Sequence, residues 1–170
     1  MNLYDLFVPQ FKKALGNLER WIALAEKNAE RRKFEPNVLA GARLAPDMFP
    51  FARQIGSACD TAKFTPARIT GKDAPKHADN EQTLAELRAR IQDVLRYLDG
   101  YSAKDLEGLE TKVIAPPSLR GKSIVAKDYV LEMQLPNFYF HVCMAYAILR
   151  HNGVELGKLD FLGSLPLRDA

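Results

Sequence analysis

Asn137 and His141 stand four residues apart in the sequence. On a helix such a pair stacks on one face, with roughly 5–6 Å between Cβ atoms. Met144 and Ile148 fall on the same side, so the pair looks into a helical bundle or along its edge. An imidazole and an amide so placed present two ligands or two polar contacts to one point. The other reading is a buried histidine satisfied by a hydrogen bond to a neighbouring helix. Asp60 is the third residue that a plain core does not explain, since it interrupts the small-residue run Ala58–Cys59–Asp60–Thr61–Ala62. A buried carboxylate needs a partner, and His141, Lys63 or a cation would serve. Alternatively Asp60 is a surface acid paired with Lys63 or Lys76. Gln54 and Ser57, on the same segment, are weaker candidates.

The remaining inventory is narrow. Three histidines and two cysteines in 170 residues make neither a disulfide framework nor a four-thiolate zinc site, so any metal centre has to recruit carboxylates or amides. His151 sits near a helix C-terminus, where an imidazolium suits the dipole, and His77 lies in a polar loop beside Pro75; neither has a metal partner at a fixed spacing. The sequence has no Gly-rich phosphate loop and no nucleophile elbow. With 24 Lys+Arg against 21 Asp+Glu the net charge is +3, and the one dense basic cluster, Arg31–Arg32–Lys33, reads as a solvated helix end, so nucleic acid is not an expected partner. The longest uncharged apolar stretch, Leu135 to Leu149, is interrupted by Pro136, Asn137 and His141 and is too short to span a bilayer. The N-terminus lacks a signal-peptide pattern. The expectation is a cytoplasmic protein away from membranes, with Cys59 and Cys143 as reduced core residues.

The elements that position these residues read as helices. Apolar and small residues at Leu3, Phe7, Phe11, Leu15, Leu18, Ile22, Ala25 and Ala29 form the stripe of a long first helix with Asn2 as its cap. Pro9 marks either a kinked first turn or the true start. A second helix is expected from Met48, capped by Asp47, through Phe51, Ile55, Ala58, Cys59 and Ala62, with Pro66 kinking or shortening its end and Gly71 stopping it. Leu84, Leu87, Ile91, Val94, Leu95 and Leu98 make the third, with a cap signal at Asp79–Asn80 and a stop at Gly100. Ser102 and Asp105 have capping-box spacing. Residues 111–125, with Pro116, Pro117 and Gly121 between two β-branched pairs, suggest a β-like or irregular excursion. The last long unit, Asp128 to Asn152, is divided by Pro136. Four amphipathic segments must bury their stripes against one another, which predicts an all-α four-helix bundle and one domain over residues 1–170. Tyr139, Tyr146 and Arg150, on the face away from Asn137, have the composition of a partner contact.

Several segments carry a resemblance: Arg43–Leu44–Ala45–Pro46–Asp47–Met48, Asp60–Thr61–Ala62–Lys63, Leu135–Pro136–Asn137–Phe138–Tyr139–Phe140–His141 and Ile148–Leu149–Arg150–His151–Asn152–Gly153–Val154. They resemble the domain-of-unknown-function family 1993, from Leu3 through Gly163. That family is similar in turn to the DinB/YfiT-like superfamily of metalloenzyme-like four-helix bundles, which commonly dimerise. In that superfamily one His from the second helix and a His-x-x-x-His pair on the last long helix hold a divalent metal, upstream of a Leu-Arg-x-x-Gly-Val stretch. The resemblance puts His141 on the second His of the pair and Asn137 on the first. The second-helix His has no counterpart, and Asp60 is the nearest ligand-capable residue. What it implies is a DinB-like homodimer with a degenerate divalent-metal or small-ligand site at Asp60, Asn137 and His141. The alternative is a non-catalytic binding or dimerisation module in which Asp60 and His141 form a structural pair.

Overall fold

A computed structural model describes residues 2–168; Met1, Asp169 and Ala170, part of the expected domain, lie outside the described residues. Four long helices make the bundle: α1 (Leu3–Arg32), α2 (Phe51–Thr70), α3 (Leu84–Asp99) and α5 (Leu135–His151). They pack in the cyclic order α1–α3–α2–α5, so α2 lies between α3 and α5. One contiguous apolar core joins them, with Phe7, Phe11, Trp21, Phe51 and Phe138 fully buried and the Phe11 and Phe138 rings 4.3 Å apart.

The helix ends show where local sequence was decisive. Asn2 caps α1 as expected, accepting from the Asp5 N–H. Pro9 sits inside that helix on an exposed face, where its missing donor frees only a solvent-side carbonyl. Helix α2 starts three residues later than the Asp47 cap predicts. Ala45 to Met48 instead close a turn, and Pro50, extended at φ −69° and ψ 165°, becomes the N-cap without any side-chain bond. Pro66 does not shorten α2, which runs on to Gly71 at φ 84°. The cap of α3 is Thr83, in a reciprocal capping box with Glu86, rather than Asp79–Asn80. At Ser102–Asp105 one half of the box forms: Ser102 donates both its N–H and its hydroxyl to the Asp105 carboxylate.

Residues 111–125 do form a small antiparallel hairpin, Val113–Ile114 with Ile124–Val125. It leads into α4 (Ala126–Asp128), a π-helical segment (Tyr129–Gln134) and then α5 without a break. Pro136, in the first turn of α5, therefore divides the unit by a change of helical pitch; a proline has no N–H to give, and the wider turns just before it absorb the mismatch.

A short helix α6 (Lys158–Leu162) packs on α1 and touches α5 where Phe161 meets Tyr146. Trp21 packs between Tyr146 and Phe161 and donates its indole N–H to the Asp160 carbonyl at 3.2 Å. Residues of the expected partner face also make contacts within the chain. Tyr139 donates to Gln10, Tyr146 to the Leu156 carbonyl and Arg150 to the Val154 carbonyl. No helix is long and apolar enough to cross a membrane among the described residues.

Candidate functional site

Helix α2 carries two polar seams. Toward α5, the Nδ1 atom of His141 lies 2.8 Å from Gln54 Oε1, and Asn137 donates to Thr61 Oγ1 at 2.8 Å. Gln54 is oriented by its own amide N–H, which donates to the Phe49 carbonyl. Its oxygen therefore faces the imidazole, and His141 must carry its proton on Nδ1. Burial pushes the His141 pKa down, so the ring is held in its neutral form. The buried-histidine reading describes this residue, and Gln54 is its partner.

Asp60 points elsewhere. Its carboxylate accepts from Arg90 at 2.7 Å and forms an ion pair with Lys63 at 2.8 Å, on the α3 side of α2. The proposed Asp60–His141 pair is not formed, because two buried cations hold the carboxylate and an amide holds the ring. Of the partners anticipated for Asp60, Lys63 is present; Arg90 was not anticipated.

The three residues do not fit a divalent cation. His141 and Asn137 leave one ring nitrogen and one amide oxygen, and the one carboxylate of the set is engaged by Arg90 and Lys63. Among the described residues no three His, Cys, Asp or Glu side chains gather as a metal would require.

Arg90 organises the second seam. Its side chain is 2% exposed, and Nη1 donates to Asp79 at 2.6 Å and Glu81 at 2.9 Å while Nη2 donates to Asp60 and to the Gly56 carbonyl at 3.3 Å. Gly56 leaves room here: a Cβ at that position would stand 3.3 Å from Arg90 Nη1, close enough that the guanidinium would have to shift. Burial opposes the guanidinium charge, but Asp79, Asp60 and Glu81 more than offset it and raise the Arg90 pKa above its ordinary value. The same contact lowers the Asp79 pKa. Asp79 reaches Arg90 from a left-handed backbone conformation, φ 56°, that aspartate tolerates better than most residues.

Lys63 extends the network. Its ammonium lies 2.7 Å from His77 Nδ1, and His77 Nε2 lies 3.0 Å from Asp93. An ammonium only donates, so Nδ1 accepts and Nε2–H points at Asp93. His77, read from sequence as a loop residue with no metal partner, ties the 71–83 connection to α2 and α3. Beside it, burial pushes the Cys59 thiol up to about 12, so it stays protonated and inert. Cys143, expected in the core, is exposed on α5.

The network forms one wall of an open cleft of about 530 Å³ lined by Asn37, Arg43, Arg53, Ser57, Asp60, Asp79, Glu81, Gln82 and Arg90 among others. Only Asp60 of the three sequence candidates lines it. The signal for Arg90 was available: it lies three residues after Leu87 and four before Val94, on the buried stripe of α3 rather than its solvent face. Lys63, four after Cys59, is similarly placed on α2.

Comparison with known proteins agrees with this architecture. A DinB family member protein from Shewanella denitrificans, solved by crystallography, is 49% identical, with a TM-score of 0.94 over 99% of this chain and 96% of that one. No curated protein matches. The family model described as domain of unknown function (DUF1993) matches residues 3–162, nearly the whole all-α bundle, and the chain belongs to that family.

Proposed function

We propose that this protein is a DinB-like small-ligand-binding bundle whose site is the cleft beside Arg90. The observation that carries the reading is the preorganised wall: one buried guanidinium, fixed by three carboxylates and a carbonyl, holds the α2–α3 seam and the 79–82 segment in a single geometry. A concave pocket with few, rigidly placed polar groups is what a small polar ligand needs, because the ordering is complete before binding. Asp60 joins the two parts of the sequence reading, since it belongs both to the segment expected to bind and to the cleft wall. The reading also keeps the protein cytoplasmic, in keeping with two free thiols, Cys59 and Cys143.

The test is amide chemical-shift mapping with a panel of small probes: phosphate, acetate, methylammonium, glucose and trialanine. Saturable shifts at Asp60, Asp79 and their neighbours with at least one probe are expected. A panel that leaves the cleft unshifted overturns the proposal.

A further inference from the structure

Arg43, Arg53, Asp60 and Asp79 line the same cleft, yet among the described residues neither Arg43 nor Arg53 forms a salt bridge with these acids. Arg53 lies over the Phe49 ring at 4.4 Å and forms no ion pair among the described residues, while Arg43 reaches only the Pro46 carbonyl at 3.3 Å. At the opposite end, Arg90 and Lys63 take one oxygen of Asp60, Oδ1, and Arg90 takes Oδ1 of Asp79. The second oxygen of each carboxylate has no protein donor among the described residues. Arg90 cannot serve an incoming anion, since both its terminal nitrogens are committed to acids and the Gly56 carbonyl.

The arginine end gains from the backbone. Helix α2 has no side-chain cap, and the N–H groups of Ala52 and Arg53 find no acceptor among the described residues. Ala52, Arg53 and Arg43 all line the cleft, so these free donors and the positive end of the helix dipole belong to the same wall as the two arginines. Arg53, Ser57 and Asp60 line one face of α2 at spacings of four and three, which sets the two poles about 10 Å apart along the helix axis.

Opposite charges that share a cleft without touching point to a ligand that carries both. Building on the cleft reading above, we propose that the ligand is an extended zwitterion, its ammonium between Asp60 and Asp79 and its carboxylate at Arg53, Arg43 and the first turn of α2. A chain of two to three residues spans about 7–10 Å between its termini, so a di- or tripeptide with free ends has the right length. A single α-amino acid, with its charges on one carbon, is too short to reach both poles.

The experiment titrates the protein with trialanine, its N-acetylated and C-amidated forms, alanine and 6-aminohexanoate, following shifts in the cleft. Trialanine is expected to saturate, and each blocked form and alanine to bind at least about 10-fold more weakly, the scale of one lost charge-assisted contact. Binding of 6-aminohexanoate near the trialanine affinity assigns recognition to the two charges alone; a clear preference for trialanine adds the peptide backbone. Arg53→Gln should weaken trialanine as C-amidation does, with no further loss for the amide, and Asp79→Asn should pair in the same way with N-acetylation. Both positions are exposed, and asparagine accepts the left-handed backbone of Asp79, so both variants should fold. Equal binding of blocked and free peptides, or acetate or methylammonium binding as tightly as trialanine, overturns the zwitterion while leaving a cleft that binds ligands. Silence from every probe overturns the cleft itself.

Discussion

Replacing Arg90 by Met tests whether the buried guanidinium organises the α2–α3 seam. Methionine keeps most of the apolar stem but removes every donor, leaving Asp60, Asp79, Glu81 and the Gly56 carbonyl without their shared partner. Removing one partner of a fully buried ion pair costs about 3–5 kcal/mol. The acids here are not equally buried: Glu81 is 15% exposed, Asp60 32% and Asp79 62%. Water can resolvate Asp79 and part of Asp60, and Lys63 still holds Asp60, which brings the expected loss to about 2–3 kcal/mol. For a domain of this size that lowers the thermal midpoint by roughly 4–12 °C. Urea unfolding of Arg90→Met, alone and on an Asp79→Asn/Glu81→Gln background, separates the contributions. The loss should shrink by about half on that background, because fewer uncompensated charges remain. A loss under about 1 kcal/mol, or one that is the same on both backgrounds, refutes the view that Arg90 acts through these carboxylates.

Further outcomes follow from the same contacts. Burial lowers the His141 pKa, so folded protein favours the neutral ring while the unfolded ring titrates near about 6.5. The contribution of this residue is complete above that value and is lost as pH falls through the lower folded value. His141→Gln should therefore flatten the stability slope below about pH 6.5, and an unchanged slope in urea titrations would count against the buried neutral ring. Protein purified without a chelator or a His-tag is expected to carry no stoichiometric divalent metal, and EDTA to leave its midpoint in place; stoichiometric metal that disappears in His141→Ala would reverse that. Phe161→Ala removes the ring stacked on Trp21, the only tryptophan, and should cost about 2 kcal/mol and shift its emission to longer wavelength. An unmoved spectrum would mean that α6 does not cover that ring in solution. The homodimer implied by the family resemblance is expected to use the outer face of α5, where Phe140, 53% exposed, and Cys143 lie one turn apart. Phe140→Asp should then halve the mass in solution, and a wild-type monomer refutes the expectation.

The bundle was legible in the sequence because each long helix has an uninterrupted apolar stripe and periodicity is what a buried face dictates. Starts were harder. Asp47 and Asp79 are both good caps by type, but Pro50 fixes the start of α2, and Asp79 turns to Arg90 because a buried guanidinium binds a carboxylate more strongly than a helix end does. The π-helical segment before Pro136 has no signature beyond the proline itself. At the site, the face shared by Asn137 and His141 was readable from their spacing, and so in principle were Gln54, Lys63 and Arg90, each in step with a buried stripe. The chain from Lys63 through His77 to Asp93 was not, because it closes through the irregular 71–83 loop, whose path no periodicity records.

The two seams of α2 differ in a way that bears on where ligand chemistry can occur. Toward α5 the contacts are neutral and paired, Gln54 with the buried His141 and Thr61 with the exposed Asn137. A ligand entering there meets only two neutral acceptors, one ring nitrogen of His141 and the amide oxygen of Asn137. Toward α3 the contacts are charged and uneven, with three carboxylates around Arg90, a further cation at Lys63, and oxygens of Asp60 and Asp79 that meet no protein donor among the described residues. A ligand entering that cleft adds bonds without breaking any. The resemblance places the superfamily's metal chemistry on the α5 side of α2. The unspent charge lies on the α3 side, and Asp60, grouped by sequence with His141, faces that way.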